Sequence, residues 1–295
     1  MAWLAIQFIV PGERVEEVSD ALLAHGALSV DAADNGALTA AETPIFGEPG
    51  AIVSPWQSTR LTALFPAQVD AATVVRQALA GCGIDREVEL QSGRVDDADW
   101  VRLTQDQFQP IGITERLWVV PTWHAAPDPT AVNVVLDPGI AFGTGSHPTT
   151  RLCLEWLAGG IRGGERVLDY GCGSGILGIA SMMLGASAAL GVDIDPQAVL
   201  AATRNAEQNR VAARFVGPAD EPGGEYDIVV ANILSNPLKA LAPLLAARVR
   251  PGGRLALSGI LESQAQDVAA SYAGALCLAP AAVLDGWVLL AGVRQ

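Results

Sequence analysis

Lysine is nearly missing from this chain: Lys239 is the only one in 295 residues, and every other fixed cation is arginine. Bases are scarce altogether, with Lys+Arg 18 against Asp+Glu 32 and a formal net charge of -14. That scarcity argues against nucleic acid or an anionic membrane as partner, because both demand clustered cations to neutralise phosphates. A basic partner fits better. Cysteine is also sparse: Cys82, Cys153, Cys172 and Cys277 lie far apart with no CxxC pair, which offers neither a disulfide framework nor a zinc site and suits a reducing cytoplasm. No metal is expected. Charge of either sign is low at 17% while 50% of residues are hydrophobic, so the chain is not disordered. The start, Met1-Ala2-Trp3-Leu4, has no basic region ahead of an apolar one and does not read as a secretory signal. One stretch without charge, Tyr170 to Val192, is 23 residues long, enough to cross a bilayer. Its six glycines and three serines read instead as loop, buried helix and buried strand.

At roughly 150 residues per domain the length implies about two domains. Trp3 to Val10 is an apolar run of strand length, Glu13 to His25 carries Val15, Val18, Leu22 and Leu23 at helical spacing, and strand Ala27–Ala32 follows. After a Gly/Pro-rich stretch from Gly36 to Pro55 the order returns as strand Arg60–Phe65, helix Asp70–Leu79 and strand Glu87–Gln91. Two βαβ units in succession predict a split-βαβ, ferredoxin-like α+β domain over 1–92. Through Arg60 that region holds the acids Glu13, Glu16, Glu17, Asp20, Asp31, Asp34, Glu42 and Glu48 against only Arg14 and Arg60, the makings of an acidic binding face. Residues 93–115 turn polar and read as a linker. From 116 to 295 strands and helices alternate as in a doubly wound parallel sheet, through Leu117–Val120, Val167–Asp169, Ile176–Leu184, Ala189–Asp193, Pro196–Asn209, Ala213–Val216, Asp227–Asn232, Pro237–Ala247, Arg254–Ser258 and Trp287–Val293.

Within that second region, Val167-Leu168-Asp169-Tyr170-Gly171-Cys172-Gly173-Ser174-Gly175 puts a glycine-rich turn between a buried strand and a helix. Glycines there let backbone approach a ligand closely, and the helix start offers free N–H groups. Gly173 to Gly178 even matches the dinucleotide pattern GxGxxG, weak evidence alone. Asp169 discriminates. A pyrophosphate over this turn would meet its carboxylate at ~4–6 Å, a repulsion on the order of 3–4 kcal/mol per charge pair at an effective dielectric of about 20. S-adenosylmethionine carries an ammonium and a sulfonium, which the same carboxylate attracts. Asp193, about 20 residues on, suits ribose hydroxyls in either ligand.

Two further segments are dense in candidate residues. Leu136 to Thr150, containing Phe142, Thr149 and Thr150, leads into helix Thr150–Leu157, where hydroxyls and the helix dipole suit a carboxylate such as that of methionine. His147 in this segment is read as a loop hydrogen-bonder rather than a base. Asp227 to Pro237 delivers Asn232 to the carboxyl edge of the sheet, where it either orients an amine or caps the next helix.

Together FGTGSHPTT, DYGCGSG, GVDIDP and ANILSNPL resemble the ribosomal protein L-eleven methyltransferases, the PrmA-type enzymes of bacteria, in the right order and over essentially the whole chain. The resemblance implies an α/β chain: a small ferredoxin-like substrate-recognition domain and a C-terminal doubly wound, Rossmann-like class I methyltransferase domain. It implies S-adenosyl-L-methionine as cofactor, and trimethylation of the N-terminal α-amine and certain lysines of large-subunit ribosomal protein L-eleven. Carried over by position, the cofactor contacts are Thr150, Gly171, Asp193 and Asn232, with Asn232 also beside the target amine. Phe142, Thr149, Asp169 and Gly173 complete the expected cofactor set. A cytoplasmic monomer is expected. A nucleic-acid amine methyltransferase is the nearer rival, yet Ile233-Leu234-Ser235 offers no ring to stack on a flipped base. An NAD-dependent oxidoreductase is the rival of another class.

Overall fold

The computed structural model describes residues 3–36, 56–84, 88–95, 108–137 and 145–295. The chain divides into two compact units, Met1–Thr104 and Gln105–Gln295. In the first, β1 (Trp3–Pro11), α1 (Val15–Ala24), β2 (Ser29–Asp34), β3 (Ser58–Pro66), α2 (Ala71–Gly81) and β4 (Gln91–Val95) build an antiparallel sheet in the order β2-β3-β1-β4. This is the ferredoxin-like arrangement expected of two successive βαβ units. Burial alternates along the central strands: Ile6, Phe8 and Val10 of β1 and Leu61, Ala63 and Phe65 of β3 turn to one face. Val18 and Leu22 of α1 and Val75, Ala78 and Leu79 of α2 close that face. Asp70 starts α2 by accepting the Thr73 N–H at 3.3 Å. β4 lies downstream of the expected Glu87–Gln91, of which Glu87 falls outside the described residues, and it runs past the expected boundary at 92. Its Gln-Ser-Gly-Arg-Val sequence carries no apolar alternation, in keeping with the exposure of Gln91, Ser92, Gly93 and Arg94.

The second unit opens with β5 (Ile111–Thr114), β6 (Leu117–Val120) and β7 (Val132–Val135), a small sheet in which β6 pairs antiparallel to β5 and parallel to β7. β5 falls inside the stretch expected to be linker, so that expectation is corrected: its Ile113 is buried with Leu117, Val119 and Val134 in the same core as the next helix. That helix is α3 (Pro148–Gly160). There follow β8 (Arg166–Tyr170), α4 (Ile176–Met183), β9 (Ala188–Val192), α5 (Pro196–Gln208), β10 (Arg214–Val216), β11 (Tyr226–Asn232), α6 (Ser235–Ala240), α7 (Ala242–Arg248), β12 (Val249–Leu261), α8 (Ala265–Tyr272), β13 (Ala279–Leu284) and β14 (Trp287–Val293). The seven-stranded sheet has the order β10-β9-β8-β11-β12-β14-β13, parallel except that β14 runs against both its neighbours. Counted from β8 this is 3-2-1-4-5-7-6, a doubly wound sheet with an antiparallel strand inserted near one edge. The order reverses between β8 and β11, and open α/β sheets bind their ligands at such a switch point.

The expected single helix Pro237–Ala247 is two, α6 and α7, meeting at Leu241. Pro243 causes the break, since it lacks the N–H that would bond back to Lys239. The uncharged run Tyr170–Val192 is the end of β8, the glycine loop, α4 and β9. Among the described residues no helix is long and apolar enough to cross a membrane.

Candidate functional site

β8 delivers Asp169 and β11 delivers Asn232 to the carboxyl edge beside the switch point. In the β8–β11 ladder Asp169 pairs with Val230, and in the β11–β12 ladder Asn232 pairs with Ser258. Register partners in a ladder share a face, as do residues two apart, so Asp169, Asn232 and Ser258 all project to the side covered by α3. The apolar residues of that face, Val167, Ile228, Val230 and Ala256, pack with Cys153, Leu154 and Leu157 of the helix.

Asp169 is 1% exposed. Its Oδ2 accepts the Gly178 N–H at 3.2 Å, in the first turn of α4, while its Oδ1 is buried with no partner. One oxygen thus serves as a helix cap and the other is free for a ligand. Burial pushes the carboxyl up to about 7, the charge of Asp193 adding to that and the Gly178 N–H opposing it. The neighbouring thiols of Cys153 and Cys172 are raised as well, first by burial and then by Asp169. Both thiols are therefore neutral spectators rather than nucleophiles.

Asn232 does not cap α6, whose N-cap is Leu234 with no side-chain bond. Instead its Nδ2 donates to Thr150 Oγ1 at 3.2 Å, across 82 positions of sequence, and its Oδ1 is a buried acceptor without a partner. Thr150 is fully buried, and with its oxygen accepting from Asn232 its own proton remains available. The bond to Thr150 decides which end of the Asn232 amide is presented: oxygen outward.

Thr149 is differently engaged. His147 is the N-cap of α3: its Nδ1 accepts the Thr149 N–H at 3.3 Å and lies 2.7 Å from Thr149 Oγ1. A ring nitrogen that accepts an N–H carries no proton, so the Thr149 hydroxyl donates to it too, and this hydroxyl is not turned to a ligand carboxylate. The ring also meets Trp287 edge-on, centroids 5.1 Å apart, and burial lowers its pKa. His147 is held as a neutral loop hydrogen-bonder. Phe142 falls outside the described residues.

The glycine loop follows. Gly171, Gly173 and Gly175 have φ of +77°, +51° and +78°, the left-handed region that disfavours a side chain. Gly173 donates its N–H to Asp193 Oδ2 at 2.8 Å, and the other Asp193 oxygen accepts the Asp195 N–H at 3.0 Å, so the carboxylate is fixed beside the loop with lone pairs left for hydroxyls. A Cβ on Gly171 would collide with the Ile233 side chain. Gly259, at φ +83°, sits where a Cβ would run into the Ile233 carbonyl. Ile233, adjacent to Asn232, is therefore closely approached by two glycines, one at its side chain and one at its carbonyl. Sequence reasoning did not single out Gly259 or Ser258; a Ser-Gly pair ending an apolar strand is the signal that was available.

These features fit S-adenosylmethionine: two unpaired buried acceptors, a carboxylate without a counter-ion beneath the loop, and a second carboxylate at the end of the next strand. A pyrophosphate finds no cation here among the described residues. The arrangement is that of a class I, Rossmann-like methyltransferase, a class whose methyl donor is S-adenosylmethionine. The family described as ribosomal protein L11 methyltransferase (PrmA) matches residues 2–295. Proteins of that name from Thiobacillus denitrificans and Ralstonia nicotianae are 53% and 54% identical, aligned over 100% and 97% of this chain and 100% and 96% of theirs. A solved structure, the ribosomal protein L11 methylase of Lactobacillus delbrueckii subsp. bulgaricus, is 31% identical over 64% of this chain and 100% of its own, with a TM-score of 0.59. The chain belongs to the ribosomal protein L11 methyltransferase family.

Proposed function

We propose that this protein transfers methyl groups to amines of ribosomal protein L11 in the cytoplasm, at the N-terminal α-amine and at lysine ε-amines, up to three methyl groups per nitrogen. The observation that carries this reading is the Asn232 amide, its nitrogen held by Thr150 and its oxygen buried and unpaired. S-adenosylmethionine supplies the methyl group from a sulfonium, which departs as a neutral thioether. Thr150, Gly171, Gly173, Asp193 and Asn232 are the cofactor contacts, and the free oxygen of Asp169 attracts the ammonium of the methionine moiety. Phe142 completes the proposed set, while Thr149, with its N–H and hydroxyl both bonded to His147, secures the start of α3 rather than touching the cofactor.

In the first two transfers Asn232 Oδ1 accepts an N–H of the incoming amine and so turns the nitrogen lone pair toward the methyl group; the dimethylated amine of the third has no N–H and is oriented by confinement alone. The amine must be neutral to react. Deprotonating a lysine of pKa ~10.4 at pH 7 costs about 4–5 kcal/mol, whereas an α-amine near 7.8 costs roughly 1. After each of the first two transfers the product ammonium sheds one proton to solvent before the next, and the third leaves a quaternary nitrogen. N–H donors disappear one by one, so a site with a single acceptor, rather than a cage of them, suits repeated methylation. The acidic surface of the first unit, with Glu13, Glu16, Glu17 and Asp20 on or beside α1 and Asp31 exposed on β2, suits a basic protein and acts chiefly by steering it. Glu42 and Glu48 fall outside the described residues.

The test is mass spectrometry of L11 after incubation with S-adenosylmethionine and either the wild-type chain or Asn232→Ala. Methyl groups added in increments by the wild type, with turnover about 100-fold slower in the variant, support the reading. Full turnover by Asn232→Ala, with cofactor bound normally, removes Asn232 from its role. Calorimetry with NAD in place of S-adenosylmethionine addresses the oxidoreductase alternative: tight binding of NAD alone would sink the methyltransferase reading.

A further inference from the structure

The glycine loop has three left-handed residues in five positions, Gly171, Gly173 and Gly175. Glycine enters that region without cost but reaches many others as freely, so a glycine-rich loop keeps one shape only if something outside it holds it there. Backbone bonds do part of this: Gly171 and Cys172 donate to the Val192 carbonyl at 2.7 and 3.1 Å, and Gly175 donates to Cys172 at 2.8 Å. Two side chains among the described residues also bond the backbone between Cys172 and Gly175. Asp193 takes the Gly173 N–H, and Asn205 Nδ2 donates to the Ser174 carbonyl, each at 2.8 Å. Asp193 already belongs to the proposed cofactor site. Asn205 does not.

Asn205 sits on α5, whose approach is set by the loop itself. A Cβ on Gly175 would lie 2.8 Å from the Ala202 Cβ, so the helix packs directly on a glycine, and Asn205, one turn beyond Ala202, reaches Ser174. One turn further, Asn209 anchors the same helix: its Oδ1 accepts the Val135 N–H and its Nδ2 donates to the Val135 carbonyl, both at 2.7 Å, with a further bond to the Asn205 carbonyl at 2.8 Å. Asn209 thereby does for β7 what a neighbouring strand would do. Asparagine is a poor helix former, so Asn205, inside α5, has traded propensity for a specific backbone partner, whereas Asn209 is the residue that caps the C-terminal end of the helix.

We infer that Asn205 is a positioning residue for the cofactor loop, holding the Ser174 carbonyl so that the Gly173–Gly175 backbone keeps its ligand-binding shape, while Asn209 only anchors the helix that carries it. This rests on the cofactor site proposed above. Asn205 touches the loop and not the reacting atoms, so its removal weakens binding of everything that uses the loop without slowing the chemistry of a saturated enzyme.

The experiment is calorimetric titration of the full chain with S-adenosylmethionine and with S-adenosylhomocysteine, alongside steady-state kinetics and thermal unfolding. Asn205→Ala raises both Kd values by the same factor, on the order of tenfold for one lost hydrogen bond to a buried carbonyl. Its kcat at saturating cofactor and its KM for the protein substrate stay within about twofold of wild type. Asn205→Ser, shorter by one bond, gives the same rise and serves if the alanine variant does not accumulate. Asn209→Ala lowers Tm and leaves both Kd values unchanged. Asp193→Ala separates the role of Asn205 from that of the cofactor site itself. If it weakens cofactor binding while Asn205→Ala and Asn205→Ser do not, the role of Asn205 is overturned and the site stands. If none of the three changes Kd, the cofactor does not use this loop, and both readings fall. A loss of Tm and kcat in Asn205→Ala with Kd unmoved would mark it as structural only and overturn the inference.

Discussion

Replacing Asp169 by asparagine preserves the shape of the side chain and its bond from Gly178 but removes its charge, which makes it a direct probe of the buried carboxylate. Burial, reinforced by Asp193, raises the carboxyl from 3.8 to about 7. At 1.36 kcal/mol per pH unit, keeping Asp169 ionised in the ligand-free fold therefore costs about 4 kcal/mol. The folded chain holds this proton more tightly than the unfolded one, so wild-type stability falls as pH rises from about 4 to about 7 and is level beyond. Asparagine does not titrate. Its amide nitrogen would replace the unpaired Oδ1 and leave a buried donor without a partner, a penalty of about 1–3 kcal/mol at every pH. The variant should then be the more stable protein by about 1–3 kcal/mol at pH 8 and the less stable one near pH 4. Between pH 5 and pH 8 the difference moves by about 3 kcal/mol, roughly 6–12 °C in Tm for a unit of this size. Thermal unfolding of both proteins across that range, without cofactor, reads it directly. Cofactor affinity should show the converse: wild-type binding of S-adenosylmethionine weakens about tenfold per unit below pH 7, as the carboxylate is lost, while the variant binds more weakly at pH 8 and is flat below 7. A Tm difference that stays constant from pH 5 to 8 would refute the placement of an ionisable Asp169 in an apolar, unpaired setting.

Gly259→Ala should destabilise the second unit by about 2–4 kcal/mol, from the left-handed backbone and the overlap with the Ile233 carbonyl, and should slow turnover because Ile233 seats Asn232; an unchanged Tm would contradict this close approach. Methylation of the α-amine should level off near pH 8 while lysine methylation keeps rising about tenfold per unit through pH 9, followed by site-resolved mass spectrometry; parallel profiles would mean that the site itself lowers the lysine pKa. Reversing Glu13, Glu16 and Asp20 to arginine should raise KM for the ribosomal protein about tenfold at low salt and flatten its salt dependence, with cofactor Kd unmoved. If KM and its salt response are unaltered, the acidic surface does not steer the substrate.

Much of this protein is written in local sequence. Apolar runs bounded by glycine and proline mark Leu117–Val120 and Trp287–Val293 to the residue, and the Asp195-Pro196 pair starts α5 as an N-cap and first helical residue, with Asp195 accepting the Gln197 N–H at 2.8 Å. Such signals lie within a few positions of one another and need no fold to act. The strand that ends in a glycine loop, and a carboxylate beneath it that suits a sulfonium ligand better than a pyrophosphate, are legible in the same way. Three strands are not: β5, β7 and β13, the last of which contains Pro280, which a sheet tolerates because β13 is an edge strand. Their existence depends on neighbours brought from elsewhere.

The working contacts belong to tertiary structure for the same reason. Asn232 could have capped its own helix, yet the strand order carries it to Thr150, leaving its oxygen free. Asp169 is both a cap for α4 and an unpaired acceptor, a division of its two oxygens set by how α4 packs on β8. Asn205 and Gly259 are unremarkable in sequence and gain meaning only against Ser174 and Ile233. Sequence by itself determined which polar groups exist at the carboxyl edge of the sheet. Strand order and helix packing decided which of them are satisfied within the protein and which are left to hold a ligand, because a hydrogen-bond partner tens of residues away is specified by topology and by no local pattern.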